Sequence, residues 1–268
     1  MSKAPSLRRE RQILREIVDD LGPECVIAGI DEVGRGALAG PVTVGVVLVS
    51  LETRSAPTGL RDSKLLSALK RVDLVPHLLG WGIARGVGHA SNQEIDALGI
   101  TSALALAGLR ALENCGRRPD AIVLDGHHDW LSPPRDLFTQ LCGDENSTDV
   151  LAVKRREVLP NMPRVQTVIG GDMTCASIAA ASVLAKVERD AHMVELAANP
   201  AHEPYGWDGN KGYGARQHLE ALAQFGRCDH HRQSWDFPCA RERVRCDVVD
   251  TGGLDAVRRL SSTQLNES

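Results

Sequence analysis

Aromatic residues are scarce. Phe, Trp and Tyr make up 3% of the 268 residues, so Val, Leu, Ile and Ala must fill whatever core forms. No apolar run is long enough to span a bilayer. The first twenty residues carry Arg8, Arg9, Arg11 and Arg15 and lack the apolar stretch of a signal peptide. Seven scattered cysteines form no C-x-x-C pair, which excludes the usual zinc-ligand spacing, and their odd number does not suggest a disulfide framework. Reduced thiols and a cytoplasmic location are therefore expected. Internal repeats are absent. A surplus of positive charge is missing too: the net charge of -4 argues against a protein that coats nucleic acid through bulk charge. A local basic groove stays open, because the local field matters more than the total.

What is present fits one large soluble domain, with 43% hydrophobic and 25% charged residues. Ser6 to Asp20 reads as a short charged helix, and Cys25 to Ile30 as an apolar strand that stops at two acids. Val42 to Ser50 reads as a second strand. Trp81 to His89 reads as a third, whose Gly82, Gly86 and Gly88 suggest bulges or close approach. Ser91-Asn92-Gln93-Glu94 has capping-box form and starts a helix. Helical spacing covers Thr101 to Asn114, Thr174 to Ala198 and Tyr213 to Phe225, while Ala121 to Leu124 and Arg164 to Ile169 read as strands. His127 to Pro163 mixes Pro, Asp and Asn and reads as a long loop or insertion. The division expected is an N-terminal charged helix (1–22), a mixed α/β main domain (23–240) and a polar, partly disordered tail (241–268).

Four acids stand out by position. Asp31 and Glu32 end the first strand, Asp125 ends the fourth, and Asp172 precedes the long helix. Acids at the carboxyl ends of neighbouring strands can converge on one point, where ligands bind in open α/β sheets. Carboxylates that share a small site repel one another, and divalent cations resolve the conflict. Oxygen-only donors favour Mg2+ or Mn2+ over zinc. Two such ions about 3.5–4 Å apart can hold the attacking water and the leaving oxygen of a phosphodiester. Taken singly, each acid reads as an ordinary strand end, turn or helix start. A geometric difficulty also stands: adjacent strand residues face opposite ways, so Asp31 and Glu32 reach one centre only if the strand ends or twists there. Gly34 and Gly36 would allow such a turn.

Gly34-Arg35-Gly36-Ala37-Leu38-Ala39 fits the dinucleotide pattern G-x-G-x-x-G/A, which opens a dehydrogenase reading. Two carboxylates just before the loop would repel a pyrophosphate, a Val-rich strand follows where a helix is needed, and the β-α-β spacing is missing. The other reading is a loop whose backbone approaches a substrate, with Arg35 offering a guanidinium to phosphate.

Gly29 to Gly36 followed by Ala39-Gly40-Pro41 resembles the opening signature of the ribonuclease HII family. Asp62 to Ser67, Leu124-Asp125-Gly126, Gly171-Asp172 with Ala179 to Asp190, Lys211 to Gly214 and His231 to Trp235 resemble its later motifs in order. The resemblance implies a ribonuclease H-like fold with a five-stranded mixed sheet, flanking helices and a C-terminal helical part. It implies an endonuclease, dependent on Mn2+ or Mg2+, that cuts RNA–DNA hybrids and nicks 5′ of single ribonucleotides in duplex DNA, as in ribonucleotide excision repair. Products would carry 5′-phosphate and 3′-hydroxyl ends. Asp31, Glu32, Asp125 and Asp172 fall on the family's four metal-binding catalytic acids. Gly34, Arg35 and Gly36 fall on the loop that senses the 2′-OH, Tyr213 on the tyrosine that packs against the following deoxynucleotide sugar, and Lys64 on a phosphate contact. Two departures are visible: Gly170 stands where the family often has lysine, and the stretch from Asp125 to Asp172 is long. The partners implied are the hybrid and ribonucleotide-containing duplex DNA, with no membrane and a monomer by default. The competing readings are an inactive nucleic-acid-binding protein of the same fold and the dehydrogenase. Ser182, Lys186 and Asp190 share a helix face that reads as ion-paired, and His231-Arg232 reads as helix packing or solvent-facing rather than a phosphate contact.

Overall fold

In the computed structural model of the chain, residues 4–133 and 149–236 are described. The tail 241–268 and the middle of the 127–163 segment lie outside them. Five strands form one mixed sheet: β1 (Ile27–Val33), β2 (Val42–Val49), β3 (Ala84–Ala90), β4 (Ala121–Asp125) and β5 (Arg164–Val168). Their order is β3-β2-β1-β4-β5, antiparallel from β3 to β1 and parallel from β1 to β5. The helices are α1 (Arg8–Leu21), α2 (Ala68–Leu79), α3 (Asn92–Leu98), α4 (Ile100–Asn114), α5 (Val150–Val158), α6 (Gly171–Thr174), α7 (Ala176–Ala197), α8 (Trp207–Asn210) and α9 (Arg216–Phe225).

Period-2 alternation divides the core. Ile27, Val47, Val49, Ala121 and Val123 pack with Leu7, Ile13, Leu14 and the alanines of α7. Val26, Ala28, Ile30, Val44, Val46, Ile122 and Leu124 pack with α4 and the end of α5. The helices lie unusually close to the sheet because glycine and alanine line the contact. A Cβ on Gly29 would fall 2.2 Å from Ser177 Oγ, and one on Gly45 2.2 Å from the Ala181 carbonyl oxygen. Gly86 and Gly88 admit α4 in the same way, and a Cβ on Gly82, just before β3, would fall 2.8 Å from the Leu48 carbonyl oxygen, so all three glycines mark close approach.

Several boundaries shift from the sequence reading. β1 runs through both acids to Val33, paired in register with Thr43 of β2. The 127–163 segment contains α5, whose buried face includes Arg155 and so hides its helical pattern. The helix expected from Tyr213 begins at Arg216, because Gly212 and Gly214 flank the tyrosine and Lys211 takes a left-handed conformation. The capping box at Ser91 and Glu94 forms in full.

α1 is packed as part of the main core. Leu7, Ile13 and Leu14 are buried, and the Glu10 carboxylate accepts from the Ser177 backbone N–H at 2.9 Å and its hydroxyl at 2.7 Å. An acid from another element thus caps the first turn of α7, whose own N-cap, Cys175, offers no side-chain bond.

Candidate active site

The in-register course of β1 answers the question raised by the adjacent acids. Asp31 shares a face with Ile27 and Gly29, towards α7, and Glu32 shares the opposite face with Ala28 and Ile30. Asp125 follows Ala121 and Val123 and so lies on the α7 side, one strand away. Its Oδ1 accepts from the Gly171 N–H at 2.7 Å, which draws the start of α6, and with it Asp172, against the end of β4. One oxygen each from Asp31, Asp125 and Asp172 lie within 4.8 Å of one another. Asp31 and Asp172 are buried. Glu32 stands outside this trio; its carboxylate pairs with Arg35 at 3.5 Å.

One cation faces the trio within ion-pair distance among the described residues: the Lys64 ammonium, 3.1 Å from Asp172 Oδ2, on an otherwise exposed side chain. It is placed by buried Asp62, which accepts from the Lys64 N–H. Burial, then Asp125, Glu32 and Asp172, push the Asp31 carboxyl well above the ordinary carboxylate range, against a favourable hydrogen bond from Ser182. Burial and then Asp172 raise Asp125. Burial raises Glu32 despite Arg35. Such a cluster of oxygen donors, drawn together without charge balance, suits a divalent cation of the hard class.

Three residues past Asp31 the chain turns into the Gly34–Pro41 loop. Gly34 adopts φ +84°, and a Cβ there would lie 2.0 Å from Arg189 Nε, so only glycine fits. Its N–H donates to the Tyr213 hydroxyl at 3.0 Å. The N–H groups of Ala37, Leu38, Ala39 and Gly40 bond to the carbonyls of Gly34, Gly212, Gly212 and His230. Among the described residues the amides of Arg35 and Gly36 alone in this loop have no acceptor, and both residues are exposed. The loop therefore presents two donors outward beside the acids, with half-buried Tyr213 at its flank.

All the sequence-derived site residues lie around this one region, although the sequence did not separate Glu32 from the trio. It also left out residues that hold the site. Ser182 reaches Asp31, and its hydroxyl shares a 2.8 Å buried hydrogen bond with Ser63. Arg189 and Arg232 are both fully buried against loop carbonyls. Ile178, Ser182, Ala185, Arg189 and Met193 form one buried stripe of α7, a spacing visible in the sequence but read there on the Lys186 face instead.

Three comparisons bear on this arrangement. The profile described as Ribonuclease HII matches residues 28–237. A ribonuclease HII of Streptomyces coelicolor is 44% identical over 212 residues, covering 79% of this chain and 77% of that one. Among solved structures, ribonuclease H2 from Pyrococcus horikoshii OT3 superposes with a TM-score of 0.58 at 23% identity, over 79% of this chain and 94% of that one. Bst-RNase HIII in complex with Mn2+ superposes at 0.50 and 22% identity, over 77% and 63%. The fold is thus ribonuclease H-like, and by its match from β1 through the last described residues the chain belongs to the ribonuclease HII family.

Proposed function

We propose that this ribonuclease is an endonuclease that hydrolyses the RNA strand of RNA–DNA hybrids and nicks duplex DNA 5′ of a single ribonucleotide, leaving 5′-phosphate and 3′-hydroxyl ends. The observation that carries the reading is the pairing of an underbalanced acidic trio with two free amide donors a few residues along the same strand–loop segment. Asp31, Asp125 and Asp172 would hold Mn2+ or Mg2+, with Glu32 as a further acid at the rim, in the field of Asp125. Oxygen donors alone suit either ion, and Mn2+ is bound in the Bst-RNase HIII complex of the same fold. When bound, such ions supply Lewis acidity and a water activated for in-line attack on phosphorus.

The chain's own groups divide the remaining work. The Arg35 and Gly36 amides are available to a ribose 2′-oxygen, the group by which RNA differs from DNA. Tyr213, tied through its hydroxyl to Gly34, would rest against the next sugar, where a 2′-OH would clash. Arg35 can exchange Glu32 for a phosphate oxygen, and Lys64 stands at the exposed side of Asp172 to meet another. Ser182 keeps the Asp31 carboxylate oriented.

A labelled DNA duplex with one ribonucleotide, incubated with the protein and Mn2+ or Mg2+, should be nicked on the 5′ side of that ribonucleotide. EDTA should stop the reaction. Asp31→Asn should lower the rate by a factor on the order of a thousand or more, as loss of a group central to charge stabilisation does. Binding of the duplex without cutting under either metal would instead mark an inactive nucleic-acid-binding protein of this fold.

A further inference from the structure

Arg189 and Arg232 are both 0% exposed, and neither has a carboxylate within ion-pair distance among the described residues. Buried guanidinium groups without an ion pair are costly, and these two have burial as the leading cause of a lowered pKa, to about 9 for Arg232. Their donors go to backbone carbonyls instead. Arg232 donates from Nη1 to the Arg35 carbonyl at 2.8 Å, from Nη2 to Gly34, and from Nε to Gly40 at 3.4 Å. Arg189 donates from Nε to Pro41 at 2.9 Å, from Nη2 to Ala39 at 3.3 Å and from Nη1 to Lys211 at 3.0 Å. Five of the eight carbonyls from Gly34 to Pro41 are thereby taken by two side chains. The bond to Lys211 ties the same guanidinium to the segment bearing Tyr213, whose ring centroid lies 5.3 Å from Arg189 Cζ.

We propose that Arg189 and Arg232 are positioning residues for sugar reading: a two-arginine clasp that fixes the loop carbonyls inward, leaves the Arg35 and Gly36 amides outward, and sets the distance between them and Tyr213. The inference rests on the 2′-OH reading proposed above. The planar fork explains the residue type. One guanidinium can bond several carbonyls at fixed angles, whereas a lysine ammonium of equal charge is a single point on a flexible stem. The two positive groups also lie under the loop that would meet a phosphodiester, so the charge left unpaired in the free protein favours an anionic partner.

The test compares wild type with Arg189→Lys, Arg232→Lys and Trp235→Leu. The last removes the half-buried ring 4.6 Å from Arg232 Cζ and keeps both buried arginines, so a folded variant is at hand if a lysine is not tolerated. Amide hydrogen exchange at Gly34, Ala37 and Gly40 should quicken by about tenfold in the lysine variants and by less in Trp235→Leu, while β1 and β4 amides keep their protection. Calorimetry should find Mn2+ affinity unchanged, and cleavage of the single-ribonucleotide duplex should fall by about ten- to a hundredfold, mainly in kcat, as misplacement of a reading group does. Loop exchange at the wild-type rate, or cleavage within about twofold of wild type, would overturn the clasp. So would a matching loss of Mn2+ binding, since that marks general loosening. A wild type that never cuts the duplex, with the exchange pattern as expected, sinks the functional reading and leaves the clasp as a loop-holding device.

Discussion

Asp31 is 5% exposed, faces two other aspartates within 4.8 Å, and receives neutral hydrogen bonds from the Ser182 side chain and from the Glu32 N–H at 2.8 Å. Its carboxyl is raised in the fold above its unfolded value, so the folded chain holds a proton there more tightly than the unfolded one. Stability from this group is complete below the unfolded pKa and is lost as pH rises through the folded one. At neutral pH, without metal, the charged form is a burden on the fold. Asp31→Asn removes the charge and keeps a polar group opposite Ser182, so in EDTA at pH 7 it should be more stable than wild type by about 1 kcal/mol, as at other functional sites built under strain. The margin should shrink as pH is lowered towards 5. Added Mn2+ should reverse the order, because only wild type keeps the full donor set. Thermal unfolding with and without Mn2+ reads all three effects, and an Asn variant that melts lower in EDTA would contradict the charge account. The four acids, and the end of β4 at Asp125, were legible in the sequence. Their sorting was not, since it depends on whether β1 stops at Asp31 or runs on in register with β2, and nothing local decides that.

Helix α7 depends on small residues along two strands. Gly29 and Gly45 leave no room for a Cβ against Ser177 and the Ala181 carbonyl, and the second contact is backbone, which cannot rotate away. Gly45→Val should cost about 3 kcal/mol or more, the upper end for overpacking, and lower the melting temperature by roughly 6–12 °C for a domain of this size. A variant within about 1 kcal/mol of wild type would mean that the helix can lift from the sheet freely. A second element-level device ties α9 to the site through proton order. The Cys228 N–H donates to His231 Nδ1, so His231 carries its proton on Nε2 and gives it to His218 Nε2 at 2.9 Å. His218 also accepts from the Trp207 indole and so donates from Nδ1 to the Tyr213 carbonyl. Both rings must be neutral, and burial first of all lowers both, His231 to about 3. The stability they contribute is present above the unfolded histidine pKa of roughly 6.5 and is lost as pH falls below it. His231→Gln should therefore flatten the decline of melting temperature between pH 7 and pH 5; an unchanged slope would show that the pair does not govern it. The alternating strands and the capping box were readable because they are local patterns. Helix α5 and the true start of α9 were not: a buried arginine breaks the first pattern, and the glycines around Tyr213 override the second.

At the scale of the whole molecule, the expected boundary at residue 22 separates a charged helix from the body, and the family match likewise starts only at residue 28. The charges of α1 dominate its sequence, yet its few apolar side chains and one acid decide its place. Leu7, Ile13 and Leu14 enter the same core as Ile27, Val123 and Ile178, and Glu10 caps α7. Burying three such side chains contributes about 5 kcal/mol by area, and a lost helix cap costs about 1 kcal/mol more. Single domains are stable by only about 5–15 kcal/mol in all, so the first helix supplies a large share. A chain beginning at residue 23 should melt far lower than the full chain or fail to stay in solution, although it keeps every acid of the site. Glu10→Ala tests the cap separately: it removes both bonds to Ser177 and should lower stability by about 1 kcal/mol with Mn2+ binding intact. If the shortened chain folds and binds Mn2+ with the stability of the full one, α1 is an appendage and the core ends at β1. The packing of Leu14, at 0% exposure between the sheet and α7, argues for the opposite result.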